Sequence, residues 1–271
     1  IDTTAFDGPI PAPALEVPKV TIEDVAAYEA WKKSNVIAQK QAGYVAIGIK
    51  VALGDFYTDK ARALAHLIKN YGANELRFTL RQDILIRNIK EENLPFFYQE
   101  LAKLDFVTLG YNTINDVTAC PGTDTCNLGI ASSTGIAVEL ERVLATEYPQ
   151  YSNNQEITIK ISGCMNACGQ HNMAEIGFQG MSINSGKLVA PALQVLLGGG
   201  NLGNGQGRFS DKVIKIPSRR GPEALRLILN DFQTNANGLS FLNYYDAKGE
   251  KYFYEYLKPL ADVTNLTEAD F

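Results

Sequence analysis

Apolar and polar positions alternate from Tyr44 to Leu53, with Val45, Ile47, Ile49, Val51 and Leu53 on one side. A period of two predicts a half-buried strand. The period then lengthens: Leu64, Leu67, Ile68 and Tyr71 share a helical face, Thr58 stands where a cap would, and Gly72 ends the pattern. Residues 58–71 are therefore expected to be helical, with His66 beside the apolar face in a structural role. Leu76, Phe78 and Leu80 alternate with Arg77, Thr79 and Arg81, a polar Gln82-Asp83 turn follows, and residues 84–89 read as the return strand. Leu94, Phe97, Leu101 and Leu104 form the stripe of a second helix over 91–104. Ahead of these, 21–33 predicts a short helix with Thr21 as cap, Asp24 at the capping-box position, and Val25, Tyr28 and Trp31 on one face. The order β-α-β-β-α is most of a ferredoxin-like split unit.

After a Thr/Asn-rich connector the pattern predicts a helix over 130–147 and an Ile-rich strand over 157–162. Further strands are expected over 175–183 and 188–197, and amphipathic helices over 222–232 and 250–257. The run 197–208, Leu-Gly-Gly-Gly-Asn-Leu-Gly-Asn-Gly-Gln-Gly-Arg, reads as a flexible loop whose glycines either turn tightly or let backbone approach a ligand. The chain is thus of the α+β class. Residues 1–20 are expected to be an extended, Pro-rich linker, 21–110 a ferredoxin-like half-domain, and 111–271 an α/β domain.

Composition narrows the function classes. The 271 residues are 45% hydrophobic and 20% charged, ample for a large core. A net charge of −5 lacks the basic excess that phosphate neutralisation needs, which argues against nucleic acid as a partner. No run approaches the roughly 20 apolar residues of a membrane span, and no secretory leader is visible, so a cytoplasmic location is expected. The first residue is Ile1, and a piece of a longer chain is expected.

The four cysteines fall in two tight pairs, Cys120-x5-Cys126 and Cys164-x3-Cys168, with none left over. Four thiolates on two short loops suit a Zn²⁺ tetrahedron or an iron–sulfur cube. Disulfides are the alternative, although a chain with a full core has little need of them. Structural zinc usually shows C-x2-C knuckles, which speaks against zinc here. A Rieske-type centre needs two histidines, and of the two present only His171 lies near a cysteine. Pro121, Gly122 and Gly163 let the backbone wrap closely and aim amide N–H groups at sulfur.

Residues 157–180, Ile-Thr-Ile-Lys-Ile-Ser-Gly-Cys-Met-Asn-Ala-Cys-Gly-Gln-His-Asn-Met-Ala-Glu-Ile-Gly-Phe-Gln-Gly, resemble the second cluster motif of the sirohaem-dependent sulfite and nitrite reductase family. The resemblance implies a [4Fe–4S] cluster on Cys120, Cys126, Cys164 and Cys168, with Cys168 also giving its thiolate to the sirohaem iron. It places Asn166 near the sirohaem, and the 197–208 run resembles the family's Leu-Gly-Gly segment. Thr79-Leu-Arg-Gln82 resembles a recurrent Thr-x-Arg-Gln stretch of the family, which makes Arg81 and Gln82, with Arg77, Thr79 and Arg87, candidates for the sirohaem carboxylates and the oxyanion; a solvated strand face is the competing reading. The implied architecture is a ferredoxin-like half-domain followed by a cluster- and sirohaem-binding domain. The implied activity is the six-electron reduction of sulfite to sulfide or nitrite to ammonia, fed by a ferredoxin or flavoprotein; Arg219 and Arg220 are candidates to help its docking, with a solvated surface pair as the favoured reading. Complete family members carry two related halves, so a companion N-terminal half is an expected partner, and this chain by itself is expected to fold but catalyse poorly. A precorrin-3B synthase-like tetrapyrrole enzyme, or an electron-transfer or structural four-cysteine module, are the rival readings.

Overall fold

The computed structural model describes residues 10–264 and 266, so the first nine residues of the expected linker lie outside what is described. The chain divides into two compact units, Ile1–Asn112 and Thr113–Phe271. In the first unit the segment from Ile10 does not behave as a free linker: Val17, Val20 and Ile22 pack on the core, and the Leu15 N–H donates to Asn70 O at 2.8 Å. Helix α1 (Val25–Asn35) starts later than the pattern suggests because Asp24, not Thr21, is its cap; the Asp24 carboxylate accepts from the Ala27 N–H at 2.9 Å. Tyr28 and Trp31 face the core as expected, while Val25 is exposed.

Four strands form an antiparallel sheet in the order β1-β2-β4-β3. They are β1 (Val36–Ala38), β2 (Tyr44–Ile49), β3 (Leu76–Phe78) and β4 (Ile84–Lys90). Helix α2 (Thr58–Tyr71) joins β2 to β3 and buries Leu64, Leu67 and Ile68. Its cap position is Tyr57, with no side-chain cap, so Thr58 does not cap; His66 is exposed and pairs with Asn70 at 2.9 Å. Helix α3 (Leu94–Lys103) follows a turn of 3-10 helix and buries Leu94, Phe96, Phe97 and Leu101.

The strand expected to be half-buried is buried on both sides. The face of β2 opposite the isoleucines is covered, and a Cβ on Gly48 would fall 2.4 Å from the ring of Tyr111. Glycine is required there because only its bare backbone admits the ring. The strand stops at Ile49, and Leu53 sits in a 3-10 turn with a positive φ.

The second unit carries a five-stranded sheet in the order β11-β8-β7-β6-β5. Its strands are β5 (Thr118–Ala119), β6 (Ile159–Ser162), β7 (Ile176–Ser185), β8 (Leu188–Leu197) and, after a separate hairpin, β11 (Asp211–Pro217). The hairpin is β9 (Gly200–Gly203) with β10 (Gln206–Arg208), so the glycine-rich run is paired rather than loose. Strands β5, β6 and β7 run parallel, and β8 and β11 add antiparallel neighbours. Helix α4 (Ser133–Glu147) packs on β5, β6 and α5 (Gly221–Asn235). Two short helices, α6 (Phe241–Lys248) and α7 (Glu250–Leu257), are tied to α5 through buried Asp231, which accepts from the hydroxyls of Tyr244 (2.6 Å) and Tyr252 (2.8 Å) and from the Asn235 amide (2.8 Å). Among the described residues Asp231 thus takes three hydrogen bonds, all from neutral donors.

Candidate cysteine centre

Two adjacent parallel strands end where the cysteines begin. β5 runs into Cys120 and β6 runs through Gly163 into Cys164. The carboxyl ends of parallel strands are where such sheets open onto a ligand crevice. The pairing continues past the strands, since the Cys120 N–H donates to Ile161 O at 3.2 Å. The loop 120–131 is folded on itself and against the second cysteine loop. Cys126 N–H donates to Gly122 O at 3.0 Å, and the N–H groups of Ile130 and Ala131 donate to Gly163 O at 2.8 and 3.1 Å. Where the two loops cross, a Cβ on Gly163 would lie 2.7 Å from Gly122 Cα. Only glycine at both positions permits that approach.

All four thiols are free; Cys120 and Cys164 are buried, Cys126 and Cys168 exposed. Among the described residues no three His, Cys, Asp or Glu side chains are gathered closely enough to hold a metal ion. The strands therefore bring two cysteine loops into contact and seat one sulfur of each pair, while the other sulfur of each pair faces outward. The Gly163 N–H donates to Cys120 Sγ at 3.1 Å, the amide-to-sulfur contact that the loop glycines suggested. In the second loop Ala167 has a positive φ of 56°, and Gly169 N–H is held by Ser162 Oγ at 3.0 Å. Asn166 is exposed.

Two residues that pattern reading passed over stand out here. Ser133, completely buried at the start of α4, donates to Cys120 O at 2.6 Å and lies 3.6 Å from Cys120 Sγ. Lys160 on β6 reaches Gln170 Oε1 at 2.7 Å, bracing the second loop. His171 is buried on the 3-10 turn after Cys168, and burial, with Lys212 nearby, pushes its pKa down from 6.5 to about 4 despite a bond to Gln179.

The strand-borne set in the first unit differs from expectation. β3 ends at Phe78, and Thr79 Oγ1 accepts from the N–H groups of Arg81 and Asp83, both at 3.2 Å, so residues 79–83 form a turn. Arg77, Thr79 and Arg81 consequently do not share a strand face. Arg77 and Arg87 both reach Glu75, at 2.9 and 3.4 Å. Gln82 takes a positive φ of 73° at the turn. Arg81 is half-buried, and its Nη1 is buried with no hydrogen-bond partner among the described residues. In the second unit Arg220 is committed elsewhere: it donates to Leu260 O and Asp262 O, clasping the C-terminal segment.

Residues 37–104 match the nitrite/sulfite reductase ferredoxin-like half domain, and residues 110–244 match the nitrite and sulphite reductase 4Fe-4S domain. The chain belongs to the nitrite and sulfite reductase family. Ferredoxin–nitrite reductase of Synechococcus elongatus is 27% identical over 172 residues, covering 62% of this chain and 33% of that protein. Sulfite reductase [ferredoxin] 1 of Mycolicibacterium paratuberculosis is 28% identical over 200 residues, 72% of this chain and 33% of its own length. The structure of the NirA protein of Mycobacterium tuberculosis superposes with a TM-score of 0.66 at 25% identity, covering 91% of this chain and 43% of that one. This member of the nitrite and sulfite reductase family thus spans about a third of the curated relatives it matches. The match order, ferredoxin-like half domain then 4Fe-4S domain, agrees with the α+β reading of the sequence. The family's cofactors are a 4Fe-4S cluster and sirohaem. None of the described helices is long and apolar enough to cross a membrane.

Proposed function

We propose that the chain supplies the cofactor-holding part of a sulfite or nitrite reductase, with Cys120, Cys126, Cys164 and Cys168 ligating a [4Fe–4S] cluster and Cys168 shared with sirohaem. The observation that carries this reading is the crossing of the two cysteine loops at Gly122 and Gly163, at the ends of neighbouring parallel strands. The donor set suits the cluster: four free thiols, an amide N–H already on one sulfur, and no disulfide competing for them. Two further features suit sirohaem. Both loops bear exposed apolar side chains, Leu128, Ile130 and Met165, and Arg81 presents a buried nitrogen without a hydrogen-bond partner among the described residues, as expected of a cation that meets a carboxylate or oxyanion.

When bound, the two cofactors would supply single electrons, which suits a reduction needing six. The chain's own residues do the holding. Glycines keep the loops in contact, Gly163 N–H neutralises part of the charge on Cys120, and Arg81, Thr79, Gln82 and Asn166 are the candidates to orient carboxylates and the anion. Arg77 has a smaller part in this reading, since Glu75 occupies its guanidinium. A ferredoxin is the proposed electron donor, and the companion N-terminal half the proposed partner.

Anaerobically purified protein is expected to contain iron and acid-labile sulfide and to show the Soret and long-wavelength bands of a chlorin-type haem. Cys126→Ser is the discriminating variant: Cys126 is exposed, so apo stability should shift by less than about 0.5 kcal/mol while the cluster is lost. A cluster fully loaded in that variant would remove Cys126 from the ligand set, and a colourless, iron-free wild type would remove the reading altogether.

A further inference from the structure

Four observations converge on Ser133. Its side chain is fully buried, it donates to Cys120 O at 2.6 Å, its oxygen stands 3.6 Å from Cys120 Sγ, and a Cβ on Gly122 would fall 2.2 Å from that oxygen. It is wedged between helix α4 and the first cysteine loop. Helix capping does not explain it, because the neighbouring Ser132 is the cap and accepts from the Gly135 N–H at 3.2 Å.

A serine hydroxyl has one proton to give. With that proton on Cys120 O, the contact between Ser133 Oγ and Cys120 Sγ is attractive only if the thiol S–H is the donor. Ligation to a metal removes the thiol proton. The oxygen lone pair would then face an anionic sulfur in buried surroundings, a contact that costs free energy. Rotation about the Cβ–Oγ bond resolves it: the hydroxyl gives up its bond to Cys120 O and donates to the sulfur from the same position, exchanging a neutral acceptor for an anionic one. Cys120 Sγ would then receive two donors, Ser133 O–H and Gly163 N–H. Hydrogen bonds to cluster sulfurs favour the more negative, reduced state and raise the reduction potential.

Resting on the cluster reading above, we infer that Ser133 is a positioning residue for the cysteine centre: its hydroxyl holds Cys120 in place as a thiol, then turns to donate to the ligating sulfur and raises the potential of the cluster. Iron content and an EPR-monitored redox titration of the cofactor-loaded protein test this on wild type, Ser133→Ala, Ser133→Thr and Ser132→Ala. In Ser133→Ala the ratio of reduced to oxidised cluster at the wild-type midpoint should fall by up to about tenfold, about 59 mV for a one-electron couple. Ser133→Thr, which keeps the hydroxyl, should return toward wild type, and Ser132→Ala, which loses only the cap, should keep the wild-type potential. An iron-loaded Ser133→Ala at wild-type potential overturns the inference, as does a Ser133→Thr that stays at the alanine value. If alanine blocks loading, a loaded threonine variant at wild-type potential supports the hydroxyl's role, and an equally empty threonine variant assigns Ser133 to packing. An iron-free wild type overturns the cluster reading and this inference with it.

Discussion

His171 carries the largest pKa displacement beside the cysteine loops, and its cause is burial: 3% of its surface is exposed, and its Nδ1 has no partner among the described residues. The neutral form is held down to about pH 4, whereas an unfolded chain takes up the proton near 6.5. Between those values the unfolded state binds more protons than the folded one, so stability is lost as pH falls from about 6.5 toward 4. Urea midpoints across that window should fall more steeply in wild type than in His171→Gln. Parallel slopes would show that His171 is protonated in the folded protein. At this scale the two cysteine pairs and their spacing were legible in the sequence, because ligand chemistry demands residue types, while their ligation is the proposal made above. Ser133 was not: the pattern placed it inside a helix expected from residue 130, and nothing local says that it faces Cys120.

Elements follow the pattern where the period matches a real strand or helix. Residues 188–197 and 250–257 coincide with β8 and α7. The pattern misleads at β3, where alternation continues to Arg81 but the strand stops at Phe78, because the Thr79 hydroxyl captures two backbone N–H groups and turns the chain. The apolar row of that alternation is left outside, with Phe78 74% and Leu80 79% exposed. Leu80→Ser should therefore alter the stability of this chain by less than about 0.5 kcal/mol. Ile84→Ala, in the core of the same hairpin at 1% exposure, should cost about 2–5 kcal/mol. Denaturant titration of both variants checks the contrast, and a Leu80 cost approaching that of Ile84 would put the side chain in the core. The β9–β10 hairpin escaped notice for the opposite reason. Its Asn204-Gly205 turn has both residues at positive φ, a strong hairpin signal, but its strands are too short and glycine-rich to show a period.

For the whole molecule, the Nη1 of Arg81, buried without a hydrogen-bond partner among the described residues, tests what the chain is built to hold. Arg81→Ala should leave the fold intact and lower sirohaem occupancy, read as chlorin absorbance per iron, since each lost charge-assisted hydrogen bond is worth about 1.5–3 kcal/mol. Unchanged occupancy would return Arg81 to a structural role. The sequence by itself determined the α+β class, most strands and helices, and the four thiols with their spacing, because periodicity, caps and ligand type are short-range properties. Tertiary structure alone decided that the two-residue strand β5 exists, since its identity comes only from pairing with β6. It also decided that Gly163 meets a sulfur 43 positions away, that Tyr111 covers Gly48, and that Ser133 lies against Cys120. Such contacts join residues distant along the chain, and no local period encodes which loop a strand end will meet.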